Sequence, residues 1–236
     1  MPTFFAFEPR SRRVILVISL ISITVADDAT TWARLGFVVA GSAVGLGAVS
    51  FVCADSAQAG ERGITDWMFH DPEGVLPVSI DGLATRTGDK SVALRAPEHP
   101  NGVTGIDHLV VSTPDLERTV RALEDLGLPC RRRRDAGSYG SSTMRQAFFW
   151  LGPANDRVLL EVVGEATPDP AKAHEPARFF GIAFVCADLD ATVSFFGDLV
   201  KAPIDAVQRG RRITSVSSKA GSTVAIALMS PHQSQS

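Results

Sequence analysis

Three stretches of the chain repeat one order of apolar and polar positions: an apolar run, an acidic residue, a short segment with helical spacing, then further apolar runs broken by turn residues. The clearest begins at Gly105-Ile106-Asp107-His108-Leu109-Val110-Val111, whose branched side chains read as a strand. Thr113-Pro114-Asp115 follows as a helix start, because proline fits an early helical position. Leu116, Val120, Leu123 and Leu126 then recur at spacings of four, three and three, which places them on one helix face. Gly127 ends that helix. Residues 130–134, 143–150 and 158–163 are strand-like runs separated by Gly, Ser, Asn and Asp. The predicted order is strand, helix, strand, strand, strand.

A second such unit, the third module in chain order, starts at Gly181-Ile182-Ala183-Phe184-Val185-Cys186. Its segment Asp188-Leu189-Asp190-Ala191-Thr192-Val193 can be laid directly on Asp115-Leu116-Glu117-Arg118-Thr119-Val120. Strand-like runs follow at 205–208, 212–217 and 223–229. An earlier and more worn unit has a strand at 20–26, a helix near Trp32, and runs at 37–40, 44–53 and 64–69. The organisation expected is an N-terminal extension over 1–18, a degenerate module over 19–69, a connector punctuated by Pro and Gly over 70–104, modules over 105–165 and 179–230 with a linker at 166–178, and a tail at 231–236. A four-stranded unit with one helix leaves one sheet face open, so two units are needed to close a cleft. The fold class is therefore α+β: βαβββ modules paired into a curved, barrel-like sheet with a central cleft.

Composition narrows the function classes. The 236 residues are 45% hydrophobic and 21% charged, with a net charge of −3, which excludes a disordered or fibrous chain. The slightly acidic balance lacks the basic face that nucleic acid would need. Cys53, Cys130 and Cys186 are odd in number and far apart, so they read as reduced thiols of a cytoplasmic protein rather than a disulfide framework. Arg10, Arg12 and Arg13 precede an apolar run over 14–26, a pattern shared with export signals, so the alternative is an exported protein. Its alternation of Ile and Val with Ser and Thr favours a strand, and it is too short to span a membrane. Asp27-Asp28 can cap the next helix. The glycine-rich 41–47 lacks the Gly-Lys-Ser/Thr ending of a phosphate loop, and there is no GxSxG or CxxC motif.

The run Ile106-Asp107-His108-Leu109-Val110-Val111 with Pro114-Asp115-Leu116, followed by Val158-Leu159-Leu160-Glu161-Val162-Val163, resembles the glyoxalase or vicinal oxygen chelate superfamily. The resemblance is strong over 105–164, fair over 179–230 and faint over 19–69. It implies βαβββ modules around a cleft, and in many members a divalent metal held by a first-strand His and a last-strand Glu. His108 and Glu161 stand at those positions, and Glu161 is also the candidate for proton transfer. An imidazole and a carboxylate suit Zn, Fe(II), Mn or Ni. The third module departs from the pattern, because Gly181 matches His108 and the match to Glu161 falls near Ala227. Gln146 is a candidate third oxygen donor and substrate contact, and Trp150 a candidate cleft wall. In Gln208-Arg209-Gly210-Arg211-Arg212, Arg211 and Arg212 can hold an anionic substrate, or form a surface turn. Arg131 to Arg134 read as a charged edge strand, or as a contact to an acidic substrate.

The implied function is a small-molecule enzyme of lyase, isomerase or dioxygenase type acting on an oxygen-rich substrate with a divalent metal. The alternatives are a non-catalytic protein that binds or sequesters small molecules, and an interaction module with a filled cleft. The partner expected is a small-molecule ligand, with no nucleic acid and no membrane. Modules can pair within one chain or between two, so a homodimer is compatible with the pattern.

Overall fold

A computed structural model describes residues 18–89, 97–139 and 142–232. The expected extension, apart from Ile18, lies outside the described residues, and so does the tail beyond 232. The N-terminal part holds β1 (Ser19–Val25), α1 (Ala29–Arg34), β2 (Ala43–Leu46), β3 (Val49–Cys53), β4 (Ile64–His70), β5 (Ser79–Ile80) and β6 (Leu83–Thr87). The C-terminal part holds two βαβββ units. One is β7 (Val103–Thr113), α2 (Leu116–Asp125), β8 (Arg132–Tyr139), β9 (Ser142–Leu151) and β10 (Val158–Glu165). The other is β11 (Arg178–Cys186), α3 (Leu189–Phe196), β12 (Ile204–Asp205), β13 (Arg212–Ser215) and β14 (Ala225–Met229).

These two units share one eight-stranded sheet of order β12-β13-β14-β11-β7-β10-β9-β8. In each, the first strand runs parallel to the last, β7 with β10 and β11 with β14. The units join within the chain through the antiparallel pair β7 and β11. This is the α+β, curled, module-paired architecture read from the sequence. Charged Arg132, Arg133 and Arg134 lie on β8, at one edge of the sheet, where charge discourages pairing with another chain.

The N-terminal sheet has the order β2-β3-β1-β4-β6-β5, and it differs from the single worn module expected over 19–69. β1 is parallel to β3, as a module requires. β4, which the sequence reading made the last strand of that module, instead pairs antiparallel with β1 and runs parallel to β6. It therefore stands as the first strand of a further, shortened unit. The second strand expected at 37–40 shrinks to a single bridge between Ala40 and Ala43. The run 44–53 folds into two strands at Gly47, whose φ of +80° side chains rarely adopt. The connector after β4 holds β5 and β6. No helix forms over 71–78, where Pro72, Gly74 and Pro77 interrupt any helical face.

The three α-helices among the described residues each start at an aspartate: Asp28 accepts from the Thr31 N–H at 2.7 Å, Asp115 from Arg118 at 3.0 Å, and Asp188 from Asp190 at 2.8 Å. The two sheets share one core. Phe184 of β11 meets Phe37 at a ring distance of 5.2 Å and Trp32 at 6.3 Å, and Phe179 meets Trp67 at 5.2 Å. Among the described residues, no helix is long and apolar enough to cross a membrane.

Candidate functional site

Alternation along the strands separates two faces of the eight-stranded sheet. Leu109 and Val111 on β7, Leu160 and Val162 on β10, and Phe149 on β9 are buried against the core. The residues between them face the other way. On that open face Glu161 stands opposite Phe148 on β9 and Val110 on β7, and His108 stands opposite Leu159. The side chains of His108 and Glu161 are 11% and 15% exposed, so solvent reaches both.

The His108 Nε2 lies 3.6 Å from the Glu161 Oε2. The imidazole's other nitrogen, Nδ1, lies 2.8 Å from the Asp107 Oδ2. Neighbours on a regular strand point to opposite faces, yet Asp107 and His108 meet side by side. The cause is a register shift: β7 pairs His108 with Ala183 and Ile106 with Phe184, which leaves Asp107 as an extra residue in a bulge. With Asp107 accepting at Nδ1, the Nε2 lone pair is turned toward Glu161. Arg211 fixes Asp107 in turn, through a 2.6 Å bond from Nη2 to Oδ1, and also donates to the Ser230 carbonyl. Burial works against the Asp107 charge, but the bonds from His108 and Arg211 outweigh it and hold the carboxyl below its ordinary pKa.

Glu161 is tuned the other way. Burial raises its pKa above the ordinary value, against the pull of His108, Arg134 and a hydrogen bond from Gln146. Gln146 donates its Nε2–H to the Glu161 Oε1 at 2.5 Å. Its own Oε1 is buried and has no hydrogen-bond partner. Glu161 thus links the two side chains, with Gln146 on one oxygen and the His108 Nε2 3.6 Å from the other, and an amide oxygen, a carboxylate and an imidazole nitrogen are donor types that suit a divalent cation. Among the described residues, no group of three or more His, Cys, Asp or Glu is arranged to hold a metal, so the third donor here would be an amide.

The third module cannot complete the set. His108 faces Leu159 on its parallel partner strand and Glu161 lies two residues on; Gly181 faces Ala225 and Ala227 lies two residues on. A Cβ at Gly181 would fall 2.3 Å from the Ala225 carbonyl oxygen, so the backbone itself excludes a histidine there.

The remaining candidates separate. Trp150, opposite Leu159, carries the Arg157 guanidinium 4.0 Å from its ring centre. Arg211 is buried beneath the site rather than free in a surface turn, with Nη1 lacking a partner. Arg212 points the opposite way and pairs with Asp190 of α3 at 2.6 Å. The structure adds Asp107, which strand alternation assigns to the wrong face, and His232, whose Nε2 lies 3.7 Å from Asp107. His99 is buried between the sheets, where it accepts from the Val38 N–H at 3.0 Å and bonds the Gly45 carbonyl at 3.1 Å.

The architecture has counterparts among solved structures. A mutant of 4-hydroxymandelate synthase from Streptomyces coelicolor matches 92% of this chain and 94% of its own, with a TM-score of 0.61 and 15% identity. The chain has the vicinal oxygen chelate fold. Two further solved structures cover only part of it. Streptomyces coelicolor methylmalonyl-CoA epimerase in complex with 2-nitronate-propionyl-CoA covers 57% of the chain and 99% of its own at a TM-score of 0.44 and 22% identity. The Mycobacterium tuberculosis methylmalonyl-CoA epimerase covers 59% and 95%, with a TM-score of 0.45 and 18% identity. No family model and no curated protein matches the chain. Within the vicinal oxygen chelate fold, His108, Glu161 and Gln146 occupy the open face of one module, and the facing module offers glycine and alanine.

Proposed function

We propose that the chain is a divalent-metal-dependent enzyme acting on a small, oxygen-rich molecule. His108, Glu161 and the Gln146 Oε1 would hold the ion. The observation that carries this reading is the Gln146 carbonyl oxygen: it is buried without a partner while its own amide nitrogen is bonded to Glu161. A buried polar atom left unpaired is costly, and a cation beside it removes the cost. A bound ion would supply positive charge that steadies the developing negative charge of a carbonyl or enediolate oxygen.

The chain's own residues perform the rest. Asp107 holds the His108 ring in the tautomer that leaves Nε2 free, and Arg211 keeps Asp107 ionised and in place. Glu161 sits where burial favours its protonated form, which makes it the group suited to take a proton from substrate and return it. Trp150, with Arg157 stacked on it, flanks the site. Lyase, isomerase and dioxygenase chemistry all remain within this reading, because the fold does not choose among them.

The bare third module favours a second reading, a non-catalytic small-molecule binder: Gly181 and Ala227 give the cleft no donors on that side. Metal analysis separates the two. The purified full chain should carry stoichiometric metal, and His108→Ala and Glu161→Ala should each lose it. Adding Zn, Mn, Ni or Fe(II) to the stripped chain should raise its melting temperature by mass action. A chain that binds no metal and does not shift in melting temperature supports the binder and ends the enzyme reading.

A further inference from the structure

The open face does not stop at the donor set. Val163 lies two residues past Glu161 on β10, opposite Gln146 on one side and Ser112 on the other. There the face opens into a hollow of about 260 Å³. Val163, Met144 and Pro114 give it an apolar floor, and Ser112 and Thr113 add hydroxyls. Its outer wall is the segment 169–178, which contributes Asp169, Lys172, Glu175, Pro176 and Arg178.

That wall is held from behind. Arg118 on α2 donates to the carbonyls of Ala173 and Glu175, the second at 2.7 Å, and pairs with Asp81 at 2.7 Å. The Asp81 carbonyl accepts from the Ala177 N–H at 2.9 Å. Gly82 sits so close to the wall that a Cβ there would fall 2.2 Å from the Pro176 Cβ. The hollow is therefore preformed rather than left by a loose loop.

Size and charge restrict the occupant. Pockets for whole ligands span roughly 300–1,000 Å³, so this hollow takes part of a molecule. Its charged lining is three carboxylates, Glu165, Asp169 and Glu175, against two cations, Lys172 and Arg178. The cations already face carboxylates, Lys172 at 3.9 Å from Asp169 and Arg178 at 3.7 Å from Glu175. An anionic group gains nothing there, and an aliphatic chain gains burial against the floor. We infer that the hollow is the subsite for an uncharged, largely aliphatic tail of the substrate whose oxygen-bearing head meets His108, Gln146 and Glu161. This rests on the metal-site reading and adds the substrate's second half.

The test is calorimetric titration of the manganese-saturated full chain with 2-hydroxypropanoate, 2-hydroxyhexanoate and 2-hydroxyoctanoate, which share one head and differ in tail. Affinity should rise about fourfold for each methylene that enters the hollow, then level off once it is full. Val163→Phe fills the floor, and the ratio of octanoate to propanoate affinity should collapse toward one. Met144→Phe makes the same test from β9 should the first variant not fold. A short acid that binds with no gain for the longer ones overturns the subsite alone, as does a chain-length gain that survives both fillings. A chain that takes up no manganese overturns the metal reading and the subsite with it, whereas a manganese-loaded chain that binds none of the acids, the shortest included, overturns the subsite alone.

Discussion

At the scale of single residues, the chain uses two histidines in contrasting ways. His108 has one nitrogen tied to Asp107 and the other left toward Glu161. His99 has both committed to backbone, since Nδ1 must accept from the Val38 N–H and Nε2–H must donate to the Gly45 carbonyl. A proton added to His99 at Nδ1 would destroy the first bond. Burial accordingly lowers its pKa, although the Gly45 bond pulls the other way. The unfolded chain then takes up the proton first, at about pH 6.5. Stability from this group is complete above that pH and is lost as pH falls toward the folded-state value. Denaturant unfolding at pH 7.5 and 5.5 should show that loss, and His99→Gln should remove part of the pH dependence; an identical slope in the variant contradicts the assignment. His108, Glu161 and Gln146 were legible in the sequence as residue types at strand positions. Asp107 was not, because the bulge that turns it to the open face is visible only in the register with β11.

At the scale of elements, helix starts were the most legible feature, because a cap is a local bond between residues two or three apart. Asp115 accepts from Arg118 N–H at 3.0 Å and opens α2, the helix that carries Arg118 and Thr119 toward Asp81. Asp115→Ala should cost about 1 kcal/mol, within a range of about 0.5–2, and Asp115→Asn much less. Thermal melts of the two variants check this, and an Ala variant as stable as wild type would show that the cap is idle. Strand partners were less legible, because alternation records which face a residue takes and not which strand lies beside it. β4 reads the same whether it closes one module or opens the next, and only its antiparallel register with β1 decides. The hairpin hidden in 44–53 was missed for a related reason: the apolar run is continuous, and the turn rests on Gly47 alone.

At the scale of the whole molecule, the N-terminal sheet repeats the C-terminal plan in shortened form, with a central antiparallel pair and a parallel partner outside each member. Its open face holds Asp66 bonded to Thr24 and Arg86 instead of a donor set. What it contributes is support. Asp81 and Gly82 back the wall of the hollow, and Asp27, expected as a helix cap, instead clasps the other sheet. Buried Asp27 accepts from the Thr223 N–H at 2.9 Å, the Thr223 hydroxyl at 2.6 Å and the Ser222 hydroxyl at 2.6 Å, just ahead of β14. The Thr223 hydroxyl in turn accepts from the Gly63 N–H at 2.8 Å, beside the start of β4. No local pattern announces a bond spanning 196 positions, so this junction was invisible in the sequence. Removing the carboxylate strands two or three donors, each of which costs about 1–3 kcal/mol when left unpaired in the interior. Asp27→Ala should therefore lose about 2–4 kcal/mol, with Asp27→Asn between it and wild type because the amide keeps one acceptor oxygen. Urea unfolding followed by tryptophan fluorescence, which reports Trp32 and Trp67 in the N-terminal half together with Trp150 in the C-terminal half, measures the order. If both variants unfold within about 0.5 kcal/mol of wild type, the range of an ordinary surface substitution, the halves are joined by their shared aromatic core and not by this clasp.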